Sequence, residues 1–87
     1  MRIDLKLYLY LKAEYFDKIV SGEKKEVFRL YNRYWKEKLK NKNYESIILY
    51  NGKRTVERPW KSWMYREIIH PQFGDKKVGV FAIKVND

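Results

Sequence analysis

Apolar and polar residues alternate without a break near the start of the chain. Across residues 3–12 every odd position is Ile or Leu, and every even position is charged or Tyr. This period of two predicts a strand with one face on the core, and it puts Tyr8 and Tyr10 on the other face. The apolar spacing then becomes helical over residues 13–21. Gly22 follows, where a helix commonly ends in the left-handed conformation.

Two more segments extend this pattern. Residues 25–31 are rich in apolar and β-forming side chains and predict a second strand. Residues 33–40 predict a short helix or turn, because Trp35 and Leu39 lie four positions apart and would share one face. The chain therefore begins with a strand, a helix, a strand and a second short helical segment.

The second half of the chain reads as strands separated by turns. Three further strands are predicted at residues 44–50, 64–70 and 78–85. Asn51-Gly52 follows the first of them and is a strong hairpin signal. Residues 53–63 are polar and aromatic, and Pro59 argues against a central strand there. We therefore expect a loop over residues 53–63.

This order of elements predicts one α+β domain covering residues 1–87. Its five short strands suggest a compact, strongly curved sheet or a small β-barrel, and we expect the barrel, closed or half closed, with one or two short helices. The helix at 13–21 is expected to sit against one opening of the barrel. A ligand cleft would then lie beside that helix.

Composition narrows the class of protein. The chain has no Cys, which excludes a disulfide framework and a thiolate metal site, and its single His70 argues against zinc. The four glycines are isolated, so no glycine-rich phosphate loop is present, and the scattered acids do not suit Mg²⁺. No apolar run is long enough for a membrane span or a signal peptide. We expect a cytoplasmic domain without a metal or cofactor.

Charge gives the first indication of a partner. The chain carries 20 Lys and Arg against 11 Asp and Glu, a formal net charge of +9 that favours a polyanion. Residues 33–42 and 53–66 each hold five basic residues and one acid. Both segments interleave these charges with Tyr or Trp, a combination that grips phosphates and stacks on unpaired bases.

Several aromatic residues have two interpretations. Tyr8 and Tyr10 could stack on bases or pack beneath a helix, whereas Tyr34 is the better surface candidate because basic residues flank it. Trp60 and Trp63 are three positions apart in a basic loop, where either could line a groove or fill the core. His70 precedes a proline and is more typical of a hydrogen-bonded structural residue than of a general base.

An ordered set of residues runs from the first helix into the second strand: Phe16, Asp17, Ile19, Ser21 and Gly22, followed by Lys24 and Arg29. In this set the chain resembles the ASCH domain family of the PUA-like group. The resemblance continues through residues 30–35 and ends in residues 70–74 and 80–83, so it covers most of the chain. It implies a PUA-like barrel of the small phage or bacterial type and an association with RNA.

The resemblance also implies an alternative, enzymatic function. Some members of the family hydrolyse the acylated pyrimidine nucleoside 4-acetylcytidine with a Lys, a Thr and a Glu. Lys24 matches the Lys, but Val27 occupies the position usual for Thr or Glu. Glu26 is the nearest acid, and Glu57 and Glu67 are the later glutamates considered for the proton transfer. If the chain is an enzyme, Lys24 and Glu26 are the expected catalytic residues.

We therefore expect a domain that binds RNA, single-stranded nucleic acid or nucleotides in a basic cleft beside the first helix. Lys24 and Arg29 would contact a phosphate or a base, since a turn or bulge could bring both cations to one cleft. The remaining expected contacts come from the two basic segments: Arg33, Tyr34, Lys36, Arg58, Trp60, Lys61 and Trp63. The alternatives are hydrolysis of an acylated nucleoside and a protein-binding module.

Overall fold

The structure, a computed structural model, describes residues 5–87. In this range six strands and two α-helices are present, with one short 3-10 helix at Pro71–Phe73. The elements are β1 (Lys6–Tyr10), α1 (Ala13–Val20), β2 (Glu26–Leu30), α2 (Arg33–Leu39), β3 (Ser46–Asn51), β4 (Arg54–Pro59), β5 (Trp63–Ile68) and β6 (Val78–Lys84). The prediction of a small α+β fold with two short helices is confirmed.

The strands form two three-stranded sheets. In the first, the order is β1-β3-β4, with β1 parallel to β3 and β4 antiparallel to it. In the second, the order is β2-β6-β5 and both pairings are antiparallel. One core joins the sheets, since buried residues of β1, β3, β2 and β6 belong to a single cluster. Within residues 5–87 the strands therefore do not close into the single barrel that we expected.

The expected count of five strands is wrong because residues 53–63 do not form a continuous loop. Residues Arg54–Pro59 pair with β3 as an edge strand, and Pro59 is its last residue. Proline is tolerated at such an edge, where no further strand needs its missing N–H. The predicted hairpin at Asn51-Gly52 is confirmed, because β3 and β4 are joined by residues 52 and 53 with Gly52 at φ +57°.

The first strand buries one face and exposes the other, as its alternating pattern predicts. Leu7 and Leu9 are buried at 2% and 1% exposure, while Tyr8 and Tyr10 on the opposite face are 62% and 53% exposed. Residues 3 and 4 of that predicted strand lie outside the described residues. The strand thus brings two tyrosines to the surface along one edge of the first sheet.

Both helices form where the pattern predicts them. Helix α1 buries Phe16 and Ile19, and Gly22 follows with φ +83°, a conformation that costs glycine least. Helix α2 begins after Asn32, whose side-chain oxygen accepts a hydrogen bond from the Trp35 backbone N–H at 3.0 Å. No helix in the part of the chain that the structure covers has the length and apolar character needed to cross a bilayer.

Candidate binding cleft

A cleft of about 440 Å³ opens between the two sheets. It lies where β1, at the edge of the first sheet, meets β2, at the edge of the second. Residues before and within the two helices complete its walls. The lining residues are Tyr8, Tyr10, Leu11, Lys12, Tyr15, Lys24, Val27, Phe28, Arg29, Tyr34, Trp35, Tyr50 and Gln72.

Aromatic side chains dominate this lining, with Tyr, Phe or Trp at seven of the thirteen positions. Tyr34 is 58% exposed and stands edge-to-face against Trp35, with ring centroids 5.1 Å apart. Tyr10 meets Tyr50 in the same manner at 5.6 Å. The T-shaped contacts fix the rings relative to one another, and the exposed tyrosine faces remain accessible for stacking.

The charged groups of the cleft all have the same sign. Lys12, Lys24 and Arg29 line it, and none of its described lining residues is Asp or Glu. Lys24 and Arg29 reach the same cleft because β2 begins only at Glu26, so Lys24 still belongs to the turn. The alternation of strand faces therefore does not apply between them. The cleft thus combines an aromatic lining with three cations and no carboxylate among its described lining residues.

Lys24 occupies a partly buried position between aromatic rings. Its ammonium lies 4.4 Å from the Phe28 ring centroid and 5.7 Å from that of Tyr15, within cation–π range. Burial lowers the pKa of Lys24, Glu26 partly opposes this shift, and Lys18 adds to it. The Lys24 backbone N–H donates to the Lys18 carbonyl at 3.0 Å, which fixes the turn after α1. The ammonium is thus held at the cleft wall.

Arg29 bridges the two sheets across the floor of the cleft. One guanidinium nitrogen donates to the Tyr10 carbonyl of β1 at 2.6 Å, and the other terminal nitrogen donates to the Phe28 carbonyl at 3.0 Å. The guanidinium carbon also lies 5.5 Å from the Trp35 ring centroid. Burial lowers the pKa of Arg29, and the electrostatic effect of Tyr50 partly opposes this shift. Arg29 therefore holds the cleft together as well as lining it.

A smaller cavity of about 240 Å³ adjoins the turn after α1. It is lined by Tyr15, Lys18, Glu23, Lys24 and His70. His70 accepts a hydrogen bond at Nδ1 from the Gln72 backbone N–H at 3.1 Å, so the expectation of a hydrogen-bonded His is confirmed. Burial lowers the pKa of His70, and the charges of Lys24 and Lys18 lower it further.

The first basic segment only partly contributes to the cleft. Tyr34 lines it, whereas Arg33 and Lys36 do not. Arg33 instead forms an i,i+4 ion pair with Glu37 at 3.5 Å, and the Lys36 ammonium lies 4.6 Å from the Tyr31 ring centroid. Both cations lie on the same helix as Tyr34. They supply positive charge on α2.

The residues predicted from the second basic segment lie elsewhere. Trp60 packs against Tyr44 at 5.2 Å, and Trp63 packs against Phe81 at 4.7 Å, so both tryptophans lie against the core. The two basic residues nearby contact the end of the chain: Arg58 donates to the Asn86 side chain at 3.2 Å, and Lys61 pairs with Asp87 at 2.8 Å. None of Arg58, Trp60, Lys61 and Trp63 lines the cleft.

The glutamates considered for proton transfer also lie outside the cleft lining. Glu26 forms an ion pair with Arg66 at 2.7 Å. Glu57 accepts a hydrogen bond from the Ser46 hydroxyl and pairs with Lys6, and Glu67 accepts one from the Tyr65 hydroxyl. Val27, at the position where the resembling family has Thr or Glu, lines the cleft with an apolar side chain. Lys24 therefore has no carboxylate beside it in this lining.

Other cleft residues were predicted only in part or not at all. The alternation of the first strand put Tyr8 and Tyr10 on the non-core face with Lys12, where the tyrosines were expected either to stack on bases or to pack beneath a helix, and all three residues line the cleft. Tyr15, Phe28, Tyr50 and Gln72 come from four separate parts of the chain. No local pattern identifies them, because only the packing of the sheets brings them together.

Within residues 5–87 no group of His, Cys, Asp or Glu is arranged to hold a metal ion. Comparisons of the chain with protein-family models, curated proteins and solved structures give no match.

Proposed function

We propose that the cleft binds nucleotide units of RNA or another single-stranded nucleic acid. The observation that carries this proposal is the lining itself, which combines exposed aromatic faces with three cations and no carboxylate among its described residues. Aromatic faces stack on unpaired bases, and ammonium and guanidinium groups bind phosphate oxygens. The cleft thus offers aromatic faces for the base of a nucleotide and cations for its phosphate.

The size of the cleft favours a single unpaired unit over a duplex. About 440 Å³ lies within the usual range of small-molecule sites. A paired base shields its faces within a helix, so Tyr8, Tyr10 and Tyr34 could stack only on a base that is splayed out. A free nucleotide or nucleoside could enter the same space. We therefore place single-stranded RNA and nucleotides ahead of double-stranded nucleic acid as partners.

Within this proposal Lys24 contacts the anionic group, and Tyr34 and the β1 tyrosines stack on the base. Arg29 holds the cleft walls and lines their meeting point. Arg33, Lys36 and the basic residues of 53–66 add attraction that does not depend on sequence, consistent with the net charge of +9. The proposal places the protein in the cytoplasm, where RNA and nucleotides are available to it.

The resemblance to the ASCH family supports the same proposal. The residues that carry it include Lys24, Arg29 and Trp35, which all line the cleft. If the family assignment holds, the two sheets correspond to the walls of a PUA-like barrel that is open along the edges of β1 and β2. The cleft then lies in that opening.

Hydrolysis of an acylated nucleoside is less well supported. The lowered pKa of Lys24, caused first by burial, would suit a base. However, Glu26 is engaged by Arg66 and the cleft lining of the described residues offers no carboxylate to carry the proton. Release of acetate from 4-acetylcytidine by the unaltered protein would favour this alternative, and a rate that does not rise in Val27→Thr or Val27→Glu would weaken it further.

The tryptophans provide a direct test of the proposed function. We would titrate the protein with short single-stranded RNA, duplex RNA and single-stranded DNA, and follow tryptophan fluorescence at two salt concentrations. Trp35 lines the cleft, whereas Trp60 and Trp63 do not. Binding in the cleft should therefore give a signal that Trp35→Phe removes, while Trp60→Phe and Trp63→Phe leave it in place.

Charge variants make the test specific for the cleft. Lys24→Met should weaken binding of single-stranded RNA about tenfold, the loss expected for one charge-assisted hydrogen bond. Lys77→Ala removes the same charge at an exposed position outside both cavities and should change affinity little. The proposal is wrong if Lys24→Met and Lys77→Ala bind equally, or if affinity is unchanged between about 50 and 200 mM salt.

A further inference from the structure

The smaller cavity shares a wall with the aromatic cleft. Tyr15 and Lys24 line both, so the two spaces meet at these side chains. The Lys24 ammonium, held over the Phe28 and Tyr15 rings, lies at their boundary. A ligand in the cleft could therefore extend a group past Lys24 into the smaller cavity.

The polar groups of the smaller cavity are suited to an anion. Lys18 and Lys24 each supply an ammonium, from the last turn of α1 and from the turn that follows it. His70 supplies a third donor from the segment after β5, because its Nδ1 accepts from the Gln72 backbone and Nε2 then carries the proton of the neutral ring. Three donors from separate elements thus surround one small space.

Among the described residues that line this cavity, only Glu23 opposes an anion. Its carboxylate offsets one of the two lysines, so the cavity keeps a net positive charge alongside the neutral His70 donor. In the described residues, Glu23 forms no ion pair with either lysine that would neutralise them. Replacement of Glu23 by a neutral residue should therefore strengthen anion binding, whereas replacement of a lysine should weaken it.

We propose that the smaller cavity is a phosphate subsite, which holds the phosphate monoester of a nucleotide whose base lies in the aromatic cleft. This inference rests on the proposed function and adds the ligand class: a nucleoside monophosphate or a phosphorylated strand end. A phosphate monoester carries close to two negative charges at neutral pH and three unesterified oxygens. The two ammonium groups and the His70 N–H match these oxygens, whereas a phosphodiester inside a strand offers fewer oxygens and less charge.

The test compares ligands that differ only in the phosphate. Each of the four nucleoside 5′-monophosphates, the corresponding nucleosides and inorganic phosphate are titrated against the protein, with the Trp35 fluorescence as readout. A short single-stranded RNA with a 5′-phosphate is compared with the same RNA ending in a 5′-hydroxyl. We expect at least one monophosphate to bind about tenfold more tightly than its nucleoside, and the phosphorylated RNA to bind more tightly than the hydroxyl form.

Variants then locate the phosphate. Lys18→Ala and His70→Asn should each reduce the ratio of monophosphate to nucleoside affinity several-fold. Glu23→Gln should increase the same ratio. Lys77→Ala, outside both cavities, serves as the matched control for lost charge.

The outcomes separate this inference from the proposed function. If single-stranded RNA binds through the cleft but a terminal phosphate makes no difference, the subsite is wrong and the proposed function stands. If the preference for the phosphorylated ligand persists in Lys18→Ala and His70→Asn, the phosphate does not lie in the smaller cavity and the inference is wrong. If no RNA or nucleotide quenches Trp35, both proposals fail together.

Discussion

Replacement of Arg29 tests whether the cleft depends on a bridge between two sheet edges. Alternate residues of β1 pair with β3, as the bonds from Leu11 to Tyr50 and from Glu45 to Leu5 show. The Tyr10 carbonyl therefore faces the free edge of its sheet, where the Arg29 guanidinium donates to it at 2.6 Å. The same guanidinium also donates to the carbonyl of Phe28, the preceding residue of its own strand β2. Arg29→Ala removes both bonds in one change.

The expected loss of unfolding free energy depends on how exposed each of the two hydrogen bonds is. The bond to Phe28 is partly buried and comes from a charged donor, so its loss should cost about 1.5–3 kcal/mol of unfolding free energy. The bond to Tyr10 is exposed, so water can replace the donor and the cost falls to about 0.5–1.5 kcal/mol. We expect Arg29→Ala to destabilise the protein by about 2–4.5 kcal/mol, and Arg29→Lys by about half as much, because an ammonium keeps the charge without the planar fork.

Urea denaturation followed by tryptophan fluorescence measures these differences. Lys12→Ala is the matched control, because Lys12 also lines the cleft but is exposed and has no described ion pair or hydrogen bond from its side chain. It should shift the unfolding free energy by less than about 0.5 kcal/mol. A loss for Arg29→Ala that is no larger than that of Lys12→Ala would refute the bridging role.

Three further changes test other features of the fold. Asn32→Ala removes the cap hydrogen bond to the Trp35 N–H and should cost about 1 kcal/mol in urea denaturation, whereas Asn32→Asp should keep most of the stability. In Gly79→Ala the new Cβ would lie 2.6 Å from the Tyr65 hydroxyl oxygen, so the tyrosine ring must shift. We expect thermal unfolding to show a loss of stability of about 1–2 kcal/mol. The same substitution should cost much less in a Tyr65→Ala background, where the ring is absent. Burial, with two nearby lysines, lowers the folded-state pKa of His70, so the unfolded chain takes up the proton first as pH falls. Stability should therefore decrease on acidification from about pH 7 through the ordinary His pKa near 6.5, and an equally steep decrease in His70→Asn would contradict this cause.

Local sequence patterns predict most of the elements in this fold. The alternation of β1 and the helical spacing of α1 follow from which faces must be buried, and Gly22 and Asn51-Gly52 mark turns through backbone conformations that few residues adopt. The exception is β4, where Pro59 made a strand look unfavourable. Whether a proline is tolerated depends on whether the strand has a neighbour on that side, and this depends on the sheet order.

The candidate site is less predictable because it lies between the two sheets. Lys24 and Arg29 can be identified from the sequence, but their spacing of five residues does not show whether their side chains reach the same face. The structure answers this, because β2 begins only at Glu26 and Lys24 lies in the turn before it. Trp60 and Trp63 lie in a basic and aromatic segment, as Tyr34 does, but both are half-buried and pack against the core. Basic and aromatic interleaving identifies the chemistry of a nucleic-acid site; the relative position of two separate sheet edges decides which of those residues can take part.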